Sequence, residues 1–574
     1  MDQEAPATLF ISTMKEKNDE EEIQVLHVII PRSQHHEPTS LKAKRQELEH
    51  FENYDVYQVV DKPSNVKIIN TQWVIVDKEV PGKKEPVRKA RLTMRGDQEE
   101  FTQIIHSDSP TVNAVNIKLM LAEAVRKGWS ISSSDVTRAF LQTSEITRDV
   151  YVYPPKEAGL PRGKVWLLKR PAYGLIDAAH AFFINFSDNL ISLGCETSKM
   201  DNATFYHFSD GSKPGDEERN LDGIIGSHID DFLEVSNDTM KREVLDQVKK
   251  KFTFGSHEEP PFRYVGLNIK KEEGNITINQ DHFIEKLTTP DMSEISSMKK
   301  ECLLPEKFQT TFRSLVSKLN MLSMTARPDI TFEVKMLTTK YGKALKLDLM
   351  LAVKLLKKVK RMLTQITIPD MGNFADWILV AYTDAATKKI DNAFSVAGHV
   401  IFLVNAKTNN AVPLTWGSKK IERVVNGSLG AETIAATKVI GNLYFIKETL
   451  KQMYGTKAGD IPCIALIDSK DLHEAVHNIK TTQDKRLIGD IIQIKQAIAI
   501  DNIITELRLI PGDDMLANCL TKGGQNGADL IDVLRNGSLH IPGGNKVESS
   551  MKIHSSTWQK LIEAQSESFR SIHD

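Results

Sequence analysis

Two aspartates stand side by side in GIIGSHIDDFLEVS, residues 223–236. An apolar run precedes Asp230 and Asp231, and a second, mostly apolar run follows them. The pattern predicts two short strands joined by a tight turn, with both carboxylates at its tip. Adjacent carboxylates on a rigid hairpin suit Mg²⁺, which prefers oxygen ligands. Aspartate is also a common turn residue, so the pair gains meaning only from its surroundings.

Other residues could share that chemistry. SDVTRAFLQ at 134–142 puts Asp135 at the end of an expected strand, with Phe140 five residues on. An Asp before an apolar run can equally cap a helix. VRKARLTMRGDQ at 87–98 brings Arg88, Lys89, Arg91 and Arg95 close together. In an extended segment Lys89, Arg91 and Arg95 share a face. Such a face could grip a triphosphate or a phosphate backbone; a solvated charge run is the ordinary alternative. VWLLKRPAYGLIDAAHAFF at 165–183 reads as strand, turn and helix, with Tyr173 and Gly174 at the break.

A second constellation begins near residue 376. WILVAYTDAA alternates and reads as a strand ending in Asp384; GHVIFLV and PLTWGSK read as two more strands. A helix over 428–450 carries Glu432 in its first turn, and CIALIDS reads as a strand ending in Asp468. Acids placed at element ends in this way converge on one edge of a sheet; the alternative is three unrelated surface acids.

The elements that must position these groups follow from length and pattern. The 574 residues are too many for one core, so two to four domains are expected. Hydrophobic residues make up 40% and charged residues 26%, as in ordinary globular proteins. The net charge of −2 means that any grip on nucleic acid must come from local basic patches. Cys195, Cys302, Cys463 and Cys519 are scattered, which argues against a zinc site or a disulfide framework and fits a reducing compartment. No apolar run is long enough to cross a bilayer, and the N-terminus lacks a signal-peptide pattern. Residues 1–40 read as a poorly ordered leader, with a short strand at 23–30. Residues 41–60 read as a helix running into a β-prone stretch, and 73–76 as a strand. Residues 113–128 predict an amphipathic helix with Ile117, Met120, Leu121 and Val125 on its apolar face. Residues 263–279 predict a hairpin, 312–363 a helical region broken at Arg327–Pro328, and 537–574 a thin tail.

Taken together, the chain resembles the reverse transcriptase and RNase H part of a copia-type (pseudovirid) LTR retrotransposon Pol polyprotein. The resemblance runs from about residue 43 to about 539. It rests on WVIVDKE, KARLTMRGDQ, SDVTRAFLQ, VWLLKRPAYGL, HIDDFL, FRSLVSKL with ARPDITF, YTDA, WGSKK, GAET and ANCLTK, in the family's order. It implies an α+β right-hand polymerase of fingers, palm and thumb, followed by an α/β RNase H-like domain with a mixed five-stranded sheet. The implied boundaries are fingers and palm over 41–260, thumb or connection over 261–370, and the RNase H-like domain over 371–536. It implies an RNA-directed DNA polymerase that also degrades RNA in RNA–DNA hybrids. Asp135, Asp230 and Asp231 would be the polymerase carboxylates, and Asp384, Glu432 and Asp468 those of the nuclease. Each set would hold two Mg²⁺, with Mn²⁺ able to substitute. Lys89, Arg91 and Arg95 would meet the incoming nucleotide or the template. Phe140 would exclude a 2′-hydroxyl, and Tyr173 and Gly174 would lie in the template-side motif. The implied partners are an RNA template, a DNA primer, RNA–DNA hybrid and deoxynucleoside triphosphates, with no membrane. The implied location is the cytoplasm, including element particles, or the nucleus.

Three positions depart from the family pattern. His228 stands where an aromatic residue, commonly Tyr, is usual; Asp177 replaces a Gln; Asn518 replaces the fourth nuclease acid, with Asp514 one helical turn earlier. These predict a polymerase site with an unwelcome acid and a weakened nuclease. No protease DTG/DSG signature, integrase pattern or nucleocapsid zinc knuckle is found. A processed or truncated product, or a decayed or co-opted copy, is the corresponding expectation. The competing readings are a non-catalytic nucleic-acid-binding relic of the same fold, and a two-metal nuclease with a dead polymerase.

Overall fold

The computed structural model describes residues 28–78, 85–100, 105–387, 395–425, 427–477, 484–524 and 527–542. The strands Thr71–Lys78 and Val87–Met94 form an antiparallel pair. Their alternation buries Ile75, Ala90, Leu92 and Met94 and leaves the intervening basic residues outside that core. The helix Pro38–Asn53 lies on the second strand and begins with proline at its first turn, where no backbone hydrogen bond is lost. Residues 28–40, expected to be a leader, are folded here. Val28–Ile29 pairs with the 71–78 strand, and Arg88 reaches both Asp77 and Glu37. Of the strand expected at 23–30, residues 23–27 lie outside the described residues.

Six antiparallel strands form the palm sheet, in the order Phe254–Glu258, Ser130–Val136, Asp231–Ser236, Gly223–His228, Thr204–His207 and Cys195–Thr197. The 223–236 hairpin is central and apolar on both faces. Ile225 and Phe232 meet Phe182 and Phe186 of the helix Ala178–Ser192, the Phe186 and Phe232 rings stacking at 4.0 Å. Ile224, Leu233 and Val235 face the helix Ala114–Lys127. That helix starts at Asn113, whose side chain accepts from the Val115 amide, and stops at Gly128 in the left-handed region.

The 114–127 helix departs from its expected amphipathic character. It is buried from Val115 to Ala124 on every side, Asn116, Lys118 and Glu123 included. The reason is a second sheet lying on its outer face. Lys118 Nζ donates to the Leu414 carbonyl at 2.9 Å and lies 4.2 Å from the Trp416 ring centre. Arg126 pairs with Glu123 and lies against the rings of Trp377 and Tyr454. Groups that a helical pattern assigns to solvent are thus satisfied across an interface.

This second sheet has the order Ala411–Lys420, Ser395–Asn405, Trp377–Thr387, Cys463–Ile467 and Glu506–Leu509. The first three strands are antiparallel and the last two join in parallel. The helix Gly427–Tyr454 packs across it. Between palm and second sheet the buried core is continuous. The helices Glu306–Thr325, Thr331–Thr338 and Lys346–Arg361 have a separate core. At the break between the first two, Arg327 is buried and paired with Asp329 at 2.8 Å. The chain after 537, expected to be a thin tail, is packed as far as it is described. Ser538 bridges to Asn410, Leu539 is buried, and Arg508 donates to the Pro542 carbonyl. The α+β architecture, a six-stranded antiparallel sheet followed by a mixed five-stranded one, is the one that the resemblance implies.

Gly455 closes the contact between the two units. Its φ of 98° and ψ of 177° lie in a region that only glycine adopts freely. A Cβ there would meet the Glu217 carbonyl oxygen at 2.4 Å. Around it the Arg219 amide donates to Tyr454 and the Thr456 amide to Asp216. Gly455→Ala is expected to lower unfolding stability by about 1–3 kcal/mol. An unchanged denaturant midpoint would show that this contact is not made in solution.

Candidate active sites

The palm hairpin turns through Ile229 and Asp230. Ile229 has φ of 58°, a rare conformation for a β-branched residue that costs about 1–3 kcal/mol. The turn is held because the Val136 amide donates to the Asp230 carbonyl at 2.9 Å. Asp231 lies opposite Asp135 in the ladder. One carboxylate oxygen from each of Asp135, Asp230 and Asp231 lies within 4.8 Å of the others. Burial raises the pKa of all three. Asp231, further pressed by Asp230 and Asp135, is pushed up to about 7.

The basic strand faces this group. Arg91 and Lys78 oppose the upward shift at Asp135 and Asp230, and Lys89 does so at Asp135. Lys78 has no counterpart in the sequence reading. It sits in the preceding strand, and the ladder sets it opposite Val87, the first residue of the basic run. Arg95 does not join the face expected for it. The strand ends at Met94, where the Met94 and Gly96 amides bond to the Tyr173 and Gly174 carbonyls, and Arg95 pairs with Asp97 at 2.7 Å in solvent. Arg88 points the other way, to Asp77 and Glu37.

Tyr173 and Gly174 are fixed by that same crossing. Gly174 has φ of 87°, and a Cβ there would meet the Met94 carbonyl oxygen at 2.2 Å. The Arg91 guanidinium lies 5.1 Å from the Tyr173 ring centre, and Phe140 packs on the same ring at 5.2 Å. Gly255 was also missed. It sits at a register shift beside the 130–136 strand, where a Cβ would come within 3.0 Å of Asp135 Oδ2.

Two of the departures from the family pattern are absorbed by packing. Asp177 is held by Arg148, which also holds Glu99, so its carboxylate is turned to an ion pair within the fingers. His228 bridges to Thr111, and burial lowers its pKa.

The second group lies on the mixed sheet. Asp384 is inside the 377–387 strand, three residues before its end; Glu432 is in the second turn of the 427–454 helix; Asp468 follows the 463–467 strand. Their carboxylates also lie within 4.8 Å of one another. Burial, then Asp384 and Asp468, push the Glu432 pKa up to about 9. Asp384 accepts from Thr521. Gly398, its ladder partner, leaves room for this: a Cβ there would meet Thr521 Cγ2 at 2.6 Å. Lys522 Nζ is 3.3 Å from the Asp384 carboxylate and 2.6 Å from Asn518 Oδ1. Asn518 therefore faces a lysine. Asp514 raises the pKa of Tyr382 and does not belong to the acidic group. Both sets offer the oxygen donors that hard divalent cations take.

The raised pKa values fix a sign. Asp231 and Glu432 bind protons more tightly in the folded chain than at their ordinary values of 3.8 and 4.5. Their contribution to stability is full below those values and is lost as pH rises through about 7 at Asp231 and about 9 at Glu432. In a chelator, the melting temperature is expected to fall from about pH 5 to pH 9, and an added divalent cation to remove most of the fall at high pH. A flat profile in chelator would contradict the crowding of these groups.

Residues 54–299 match the family described as reverse transcriptase (RNA-dependent DNA polymerase). The chain is 26% identical over 414 residues to the retrovirus-related Pol polyprotein from transposon RE1 of Arabidopsis thaliana, covering 68% of this chain and 26% of that protein. It is 24% identical over 441 residues to the corresponding polyprotein from transposon TNT 1-94 of Nicotiana tabacum, covering 72% and 32%. A foamy viral protease-reverse transcriptase solved with double-stranded DNA superposes with a TM-score of 0.48 at 12% identity, over 82% of this chain and 69% of that one. The chain thus spans between a quarter and a third of these two curated relatives' length. Residues 54–299, with the first acidic group inside them, are thus similar to a reverse transcriptase (RNA-dependent DNA polymerase) domain.

Proposed function

We propose that this chain is an RNA-directed DNA polymerase that also carries ribonuclease H activity. The observation that carries the proposal is the pair of acidic groups, each of three carboxylates within 4.8 Å, the first inside the reverse transcriptase match. Mg²⁺ is the ion proposed for Asp135, Asp230 and Asp231, and for Asp384, Glu432 and Asp468, with Mn²⁺ as a substitute. Bound there, divalent ions would lower the pKa of the attacking oxygen and neutralise charge on the departing one.

The protein's own residues do the rest. Lys78, Lys89 and Arg91 form a basic wall that draws a triphosphate toward the acids. Tyr173, braced by Arg91 and Phe140, makes a flat apolar floor beneath the nucleotide. Phe140, packed on it, would stand where a ribose 2′-hydroxyl would collide. RNA template, DNA primer, hybrid and deoxynucleoside triphosphates are the proposed partners. A relic that only binds nucleic acid would gain stability by losing any of six crowded carboxylates, and all six are kept.

Asp231→Asn is expected to reduce primer extension on an RNA template by about 100-fold or more while leaving hybrid cleavage intact. Asp384→Asn should do the reverse. If either substitution removes both activities, or neither, the assignment of two separate sites is wrong. Phe140→Ala is expected to raise ribonucleotide incorporation about 10-fold or more relative to deoxynucleotide, in line with the 1–3 kcal/mol that steric fit is worth in such pockets. An unmoved ratio would place the steric gate elsewhere.

A further inference from the structure

The second acidic group carries a cation of its own. Lys522 Nζ lies 3.3 Å from the Asp384 carboxylate, and its charge opposes the upward shift that burial and the neighbouring acids give Glu432 and Asp468. The lysine is aimed by its neighbour. Asn518 Oδ1 accepts from Lys522 Nζ at 2.6 Å, and Asn518 Nδ2 donates to the Gly512 carbonyl at 2.7 Å. Both ends of that amide are used. An aspartate at 518 could not donate to Gly512 and would turn one oxygen against that carbonyl. The Lys522 amide also donates to the Asn518 carbonyl, so the turn itself sets the side chain's direction. Thr521 occupies the Asp384 carboxylate from the same turn.

We propose that this nuclease site holds one divalent ion, the Lys522 ammonium supplying the second positive charge beside Asp384. The proposal rests on the nuclease reading of the 384, 432 and 468 group. Three carboxylates are neutralised by one divalent ion together with one ammonium, whereas a second divalent ion would crowd positive charge against Lys522 beside the buried Asp384 carboxylate. Glu432 and Asp468 are then the principal ligands, and Asp384 is shared between the ion and the Lys522–Thr521 pair. Asn518 in this chain is a positioning residue for Lys522, and is not a weakened metal ligand.

The test counts ions. Mn²⁺ binding to the full chain is measured by electron paramagnetic resonance, with a hybrid whose RNA strand is 2′-O-methylated so that it is not cut. The protein carrying Asp384→Asn, Glu432→Gln and Asp468→Asn together serves as the blank that removes the polymerase site and the nucleic acid from the count. The expected result is one ion above the blank for the parent and for Lys522→Arg, and two for Lys522→Met. Cleavage of an ordinary hybrid should rise with the first power of metal concentration in the parent and more steeply in Lys522→Met. Two ions in the parent would overturn the proposal and leave the nuclease reading standing. One ion in both the parent and Lys522→Met would also overturn it, because the ammonium would not be excluding anything. No ion above the blank, with no cleavage, would overturn the proposal and the nuclease reading together. The parent count decides even if Lys522→Met fails to fold.

Discussion

Like charges held within 4.8 Å repel, and burial strengthens the repulsion by removing the water that would screen it. Both acidic groups live under this constraint, and the surrounding structure is arranged to hold them against it. In the palm the load falls on backbone: a six-stranded ladder, a turn strained at Ile229, and a glycine at 255 that leaves room for Asp135. The compensating cations Lys78, Lys89 and Arg91 come from a different sheet. On the mixed sheet the compensation is close at hand, through Thr521 and Lys522. The first arrangement leaves the charge of the acids to be offset across the gap between the two sheets. The second keeps part of the charge satisfied before any ligand arrives.

The two groups are also parts of one packed body. The 114–127 helix lies between the sheets that carry them, and Lys118 and Arg126 on it are satisfied by the far sheet. Trp416 touches Lys118 through its ring and donates to the Ser323 carbonyl through its indole nitrogen, so it links palm helix, thumb helix and second sheet. A nucleic acid running from one site to the other would meet a surface whose parts share a core.

Much of this was legible in the residues. The paired aspartates, Asp135, and the three acids of the second unit each sit beside apolar sequence at or near element ends, and period-two and helical patterns placed them well. What escaped was set by contacts distant in sequence. The 114–127 helix reads as one-sided because its polar residues are satisfied by a strand some 300 residues later, which periodicity cannot see. Arg95 reads as part of the basic face until the Tyr173–Gly174 loop ends the strand at Met94. Lys78 is an ordinary lysine until pairing puts it beside Lys89 and Arg91. Asn518 reads as a lost ligand, and only the fold shows it between Gly512 and Lys522.

The central claim is that one chain copies RNA into DNA at one acidic group and removes the RNA at the other. It is tested most directly by following both strands of one substrate, an RNA template annealed to a DNA primer, each end-labelled differently, with purified protein and deoxynucleotides. With Mg²⁺ the account predicts that the primer grows to the template end while the template shortens behind it, and that neither change occurs in chelator. Growth or cutting that persists without divalent metal, or a template and primer both unchanged with it, would contradict the account.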